Sequence, residues 1–159
     1  MPDRKQVTIY TDGSCLNNPG PGGYGAVLLF DPHRREVSGG FRLTTNNRME
    51  MMAVIAALEA LKEPCNVILY SDSQYVVNAI IKGWARRWQA NDWRRNKKER
   101  AVNPDLWERL LKVSQRHEVD FRWLRGHSGI VENERCDRLA LAAATRSGLP
   151  EDLGYQRNR

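Results

Sequence analysis

The chain has 159 residues, 41% of them hydrophobic and 28% charged, with a net charge of +6; this is about one domain of ordinary globular composition, which excludes general disorder. Its longest unbroken apolar run, Met51 to Leu58, has 8 residues, against the roughly 18 of a membrane span, and Met-Pro-Asp-Arg-Lys does not lead into a signal-peptide core, so the expectation is a single cytoplasmic domain over residues 1–159 with no membrane partner. Cys15, Cys65 and Cys136 are odd in number and widely spaced, which argues against a disulfide framework or a zinc site.

Val7-Thr8-Ile9-Tyr10-Thr11-Asp12 alternates with the period of a half-buried strand, and Gly13 is predicted to stop it, leaving Asp12 at its carboxyl end. Cys15 to Gly23 is too rich in Gly and Pro for a regular element; it reads either as a connector or as a loop that can lie flat against a ligand. Tyr24–Phe30 and Glu36–Thr44 follow as strands around a turn at residues 31–35, giving an antiparallel meander of strands one to three. Thr45, Asn46 and Asn47 can cap a helix that runs to about Lys62, with Asn47 and Glu50 spaced like a capping box. At about 100° per residue, Glu50 shares a stripe with Val54, Ala57 and Leu61, whereas Arg48, Glu59 and Lys62 are predicted to face away. A glutamate here is ordinarily a cap or a surface residue, but on a core stripe it needs a partner.

Asn66-Val67-Ile68-Leu69-Tyr70-Ser71-Asp72 repeats the first strand's ending. If the two strands are parallel neighbours, both aspartates stand at one sheet edge, where open α/β folds place their sites, and they repel unless a cation lies between them. Taken alone, Asp72 is equally a helix N-cap for the short helix predicted to end near Gly83. Residues 82–100 hold eight basic residues and two acids, the whole net charge of +6, together with Trp84, Trp88 and Trp93. Core tryptophans on a solvated charged face is one reading. Cations for phosphate and rings for sugars or bases, forming a nucleic-acid surface, is the other.

Asn103-Pro104 opens a further helix with Leu106, Leu110 and Val113 as its core stripe. Val119 to Leu124 alternates as a fifth strand ending at Arg125-Gly126-His127-Ser128-Gly129. A surface-loop histidine is the ordinary reading, applied to His33 and His117, while His127 lies between glycines at a strand end. The last helix, about Glu132 to Thr145, places Asp137 on a stripe with Ala140, Leu141 and Ala144. Residues 148–159 read as a flexible tail.

Tyr10-Thr11-Asp12-Gly13-Ser14, Thr45-Asn46-Asn47-Arg48-Met49-Glu50, Asp72-Ser73-Gln74-Tyr75-Val76, Arg125-Gly126-His127 and Asn133-Glu134-Arg135-Cys136-Asp137 resemble, in order and spacing, bacterial type I ribonuclease H from about Gln6 to Gln156. The resemblance implies a five-stranded mixed sheet flanked by helices, with strands 1–3 antiparallel and strands 1, 4 and 5 parallel. It implies a monomeric endonuclease that cuts the RNA strand of RNA/DNA hybrids and leaves 5′-phosphate and 3′-hydroxyl ends. Asp12, Glu50, Asp72 and Asp137 match the family's metal-binding carboxylates, for two Mg²⁺ ions with substrate or Mn²⁺ in their place, and His127 its mobile histidine. Independently, two hard cations about 4 Å apart can activate water on one side of a phosphate and stabilise the leaving oxygen on the other, a task that suits four carboxylates.

By the same resemblance, Cys15, Asn18, Asn46 and Gln74 line the RNA minor groove, where the 2′-hydroxyls are read. Thr45 and Asn103 belong to a DNA-phosphate pocket, and the protrusion at 82–100, with Trp84, Arg86, Arg87, Trp88, Trp93 and Arg94, holds the DNA strand. The chain departs from the family pattern at Asn17, where glycine is common, in the loop after His127, which lacks a second histidine and following proline, and at Gln89-Ala90-Asn91-Asp92, where cations are common. A non-cutting hybrid-binding module is disfavoured by the four acids with His127, and a transposase or integrase by the absence of DNA-targeting domains.

Overall fold

The computed structural model describes residues 4–157. Strands β1 (Lys5–Cys15), β2 (Gly20–Phe30) and β3 (His33–Thr44) form the antiparallel meander, and β4 (Cys65–Ser71) and β5 (Glu118–Trp123) extend it in the order β3-β2-β1-β4-β5. β4 runs parallel to β1 and β5 parallel to β4. Register decides where chemistry can occur. Thr11 pairs with Ser71 and Ser71 with Trp123, so the next residues, Asp12, Asp72 and Leu124, emerge side by side at one edge. Val7, Ile9, Val67, Leu69 and Phe121 are buried alternates of these strands and fix that register, because a one-residue slip would expose all of them.

Helices α1 (Asn46–Glu59) and α5 (Val131–Ala144) cover opposite faces of the sheet: a Cβ at Gly22 of β2 would meet Met49, and one at Gly23 would lie 2.1 Å from the Ala140 carbonyl. This close approach explains why β2 begins inside the Gly/Pro stretch predicted to be irregular: small residues on the strand and on α5 let backbones pack together. β1 likewise continues through Gly13 to Cys15, paired with Gly22, rather than ending there. Helix α2 (Gln74–Ile81) leads into α3 (Trp84–Ala90), α4 (Pro104–Ser114) packs on α1, and α6 (Leu153–Arg157) closes the described chain.

Several expectations are corrected. Thr45, not Asn47, caps α1, its hydroxyl accepting from the Arg48 amide at 3.3 Å. Arg48 points inward and is 1% exposed, because α1 is wedged between the sheet and α4 and is buried on nearly every side from Arg48 to Leu58. On α5 the covered stripe is Cys136, Ala140, Ala143 and Ala144, with Leu141 turned to solvent. His117 is buried, its Nδ1 accepting from the Cys65 amide at 3.0 Å. The tail predicted to be flexible is tied down within the described residues. The Arg42 amide donates to the Pro150 carbonyl at 2.8 Å, and Asp152 is buried against Thr44 and Arg48. Residues 158–159 of that tail, like residues 1–3, lie outside the described range. Among the described residues no helix is long and apolar enough to cross a membrane, and all three cysteines are free.

Candidate active site and nucleic-acid interface

Four of the predicted site acids meet at the carboxyl edge of the central strands. Asp12 comes from β1, Asp72 follows β4, Glu50 comes from the opening turns of α1 and Asp137 from α5, and all four border one cleft of about 480 Å³ together with His127. Oxygens of Asp12, Glu50 and Asp72 lie within 4.8 Å of one another; Asp137 borders the cleft from α5. The Gly13 amide donates to Asp12 Oδ1 at 2.9 Å and to Glu50 Oε1, so one backbone group ties β1 to α1 through both carboxylates.

Asp12 and Glu50 are each 6% exposed. Burial, then the Asp72 and Asp137 charges, push the Asp12 carboxyl up to about 7 against the lowering effect of its hydrogen bonds. Burial followed by repulsion from Asp12 and Asp72 raises Glu50 well above the ordinary glutamate range. Among the described residues, no Lys or Arg lines the cleft. Crowded carboxylate oxygens without a cationic side chain are the donor set of a hard divalent cation, so the residues present fit such an ion.

His127 has a left-handed backbone, φ 55°, a conformation few non-glycine residues adopt and one that recurs at functional sites. Its loop leans on the acids: a Cβ at Gly126 would lie 2.6 Å from Asp72 Oδ2, and the Trp123 indole N–H donates to the Asp72 carbonyl at 3.0 Å.

The predicted substrate residues separate into three places. Gln74 and Asn46 border the acidic cleft. Asn18 Oδ1 accepts from the Asn46 amide at 3.0 Å, drawing the Gly/Pro loop, with Asn17 at φ 57°, onto α1. Cys15 turns its thiol to the Gly20 and Thr44 carbonyls at 3.4 Å, and burial raises its pKa, so it is a packing group rather than a nucleophile. Thr45 and Asn103 both line a second cleft of about 660 Å³, as does Trp93. The first residues of α1, Asn46 and Asn47, and of α4, Pro104, border it, which places the positive ends of two helix dipoles beside it. Arg100 lines this cleft as well; the sequence does not single it out, and its place in the basic run is the one signal that points to it.

A third cleft, about 860 Å³, is lined by Trp84, Arg87, Trp88, Arg94 and Arg95. The segment after α3 folds back through a bridge between Arg94 and Arg100. Trp88 packs edge-on against the buried Trp107 with centroids 6.0 Å apart, while Trp84 is exposed beneath Lys82. Arg86 is not brought into this group; it lines a separate cleft with His117 and Phe121.

A family model described as RNase H matches residues 4–145. The chain belongs to the ribonuclease H family. It is accordingly an enzyme that hydrolyses the RNA strand of RNA/DNA hybrids, leaving 5′-phosphate and 3′-hydroxyl ends by the two-metal-ion chemistry general to that family. The ribonuclease H of Syntrophus aciditrophicus is 65% identical over 152 residues, covering 96% of this chain and 88% of the relative. Among solved structures, LC9-RNase H1, a type 1 RNase H with the type 2 active-site motif, superposes with a TM-score of 0.80 at 32% identity, covering 99% of this chain and 81% of its own. LC11-RNase H1, solved in complex with RNA/DNA hybrid, has the same fold, with a TM-score of 0.67 at 24% identity over 87% of this chain and 96% of its own.

Proposed function

We propose that hydrolysis takes place in the acidic cleft, with Asp12, Glu50, Asp72 and Asp137 holding two Mg²⁺ ions, which Mn²⁺ can replace. When bound, such ions lower the pKa of an attacking water and offset the charge that develops on the leaving oxygen. The residues of the chain do the rest. Glu50 and Asp12, held by one amide, fix the donor oxygens before substrate arrives, so little reorganisation remains. His127, exposed on a loop braced against Asp72, delivers a proton toward the departing 3′-oxygen. Cys15 shapes the RNA-facing loop while Asn18, Asn46 and Gln74 meet the minor groove and its 2′-hydroxyls. Thr45 and Asn103 grip a DNA phosphate, and Trp84, Arg87 and Arg94 continue the DNA track.

The observation that carries this reading is the set of three carboxylates within 4.8 Å in a cleft that, among the described residues, no Lys or Arg lines. The enzyme acts as a cytoplasmic monomer formed of one domain. Incubation of labelled hybrid, duplex DNA and duplex RNA with Mg²⁺ tests the reading, with cleavage of the RNA strand in the hybrid alone as the expected result. Cleavage that survives simultaneous loss of the Asp12 and Asp72 carboxylates would remove the reaction from this cleft.

A further inference from the structure

We propose that the C-terminal segment from Pro150 to Arg157 is part of the hybrid-binding apparatus, and that Asp152 is a positioning residue acting through Arg48. This rests on the assignment of the Thr45–Asn103 cleft to a DNA phosphate. Arg48 reaches both walls of that cleft. Its backbone N–H donates to the Thr45 hydroxyl at the start of α1, its guanidinium donates to Asn103 Oδ1 at 3.2 Å, and it makes paired bonds of 2.9 and 2.7 Å to Asp105 at the start of α4. The separation of the two helix N-termini is therefore set by where one guanidinium is held. Asp152 holds it from behind: Oδ2 accepts from Nε at 2.7 Å and Oδ1 from an Nη at 2.9 Å, while the Thr44 hydroxyl, one residue before the α1 cap, donates to the same carboxylate at 2.7 Å.

The segment is pressed onto this network. A Cβ at Gly154 would lie 1.9 Å from Asp105 Oδ2 and 2.6 Å from the Arg48 guanidinium, and the next residue, Tyr155, lines the cleft itself. A buried Arg between two aspartates could serve stability alone. Stability alone gives no reason for the network to join the caps of both helices that open on one cleft, or for the segment that supplies Asp152 to form part of the cleft wall.

Asp152→Asn keeps the volume and removes the charge. At a temperature where the variant is fully folded, KM for hybrid rises several-fold with kcat within about two-fold, since uniform binding is lost. In a double-mutant cycle with Thr45→Ala the two effects on KM are less than additive, because both act on one cleft. Gly154→Ala, which alters no charge but wedges the segment outward, reproduces the rise and decides the matter if Asp152→Asn does not fold. A lowered Tm with unchanged KM in the folded variants, or full additivity with Thr45→Ala, overturns the positioning role while leaving the phosphate cleft in place. Unchanged KM in both Thr45→Ala and Asn103→Ala overturns the cleft assignment and this role with it.

Discussion

Arg48 and Glu50 are two residues apart on α1, both buried, and they meet opposite surroundings. Arg48 is given two aspartates and an amide oxygen, so every face of its guanidinium has an acceptor. Glu50 is given two more carboxylates and one backbone N–H. Buried charge is tolerated when paired and costly when crowded with its own sign. The paired cluster needs nothing from outside and holds helices together; the unpaired one is incomplete as a protein interior and fits a cation. One helix thus carries a charge fitted to structure and one fitted to a metal, and only their partners tell them apart.

Exchanging single groups breaks the comparison. Asp12→Asn is expected to abolish Mg²⁺-dependent cleavage while leaving the metal-free fold as stable as before or more so, because it removes one of the repelling charges; near-normal turnover would sink the site assignment. Arg48→Met is the converse. It strands the buried Asp152 carboxylate and should cost about 3–5 kcal/mol of stability, the range for breaking a buried pair from one side. Denaturant melts of both variants without metal give the check, and a milder loss for Arg48→Met than for Asp12→Asn would show that the two clusters have been assigned the wrong way round.

The next effect is on pH. Asp12 rises from 3.8 to about 7 in the native state and Glu50 rises with it. Between about pH 4 and 7 the folded protein therefore binds more protons here than the unfolded chain. The stability that Asp12 contributes is present at low pH and lost as pH climbs toward 7, on the order of 4 kcal/mol at most for a shift of that size. Mg²⁺ should restore it by favouring the ionised folded state, more strongly at pH 8 than at pH 5. The Tm of wild type minus that of Asp12→Asn, followed across pH without metal, isolates the contribution; a difference that grows with pH would reverse the sign. His127→Ala, lacking only a proton carrier, should lose roughly a hundred-fold in kcat. A loss as complete as that of Asp12→Asn would give His127 a larger role.

The unpaired cluster is far more legible in the sequence than the paired one. Asp12 and Asp72 follow runs of matching pattern that end Tyr-Thr-Asp and Tyr-Ser-Asp, and parallel pairing in phase carries that repetition directly into space. Their partner Glu50 lies on the apolar stripe of its helix. Arg48 escapes a stripe argument because that argument assumes one buried face, whereas α1 is covered on both sides; the eight-residue apolar run from Met51 to Leu58 is the signal that a second layer lies over it. Asp152 cannot be placed from a polar tail of twelve residues, since only the fold brings residues 48, 105 and 152 together. The Gly-rich start of β2 is hidden for a related reason. Its glycines answer to Ala140 and Ala143 more than a hundred residues away, and local propensity contains no trace of that packing.

The smallest expected effects lie in the basic segment, and there the structure divides what charge alone groups together. Arg87, Arg94 and Arg95 line one cleft with the exposed Trp84, whereas Arg86 lies on another with His117. Replacing the first three arginines by Ala should raise KM several-fold with little change in kcat. It should also flatten the dependence of binding on salt by roughly one unit of slope for each phosphate no longer neutralised. Trp84→Ala should raise KM without altering that slope, because a stacked ring releases no counterions. Trp88→Ala should instead lower Tm, since its ring packs on Trp107. Arg86→Ala serves as the internal control, with KM and salt slope near wild type. Equal effects from Arg86→Ala and Arg87→Ala would mean that the hybrid senses the segment as a diffuse field of charge, and that the division into clefts has no bearing on binding.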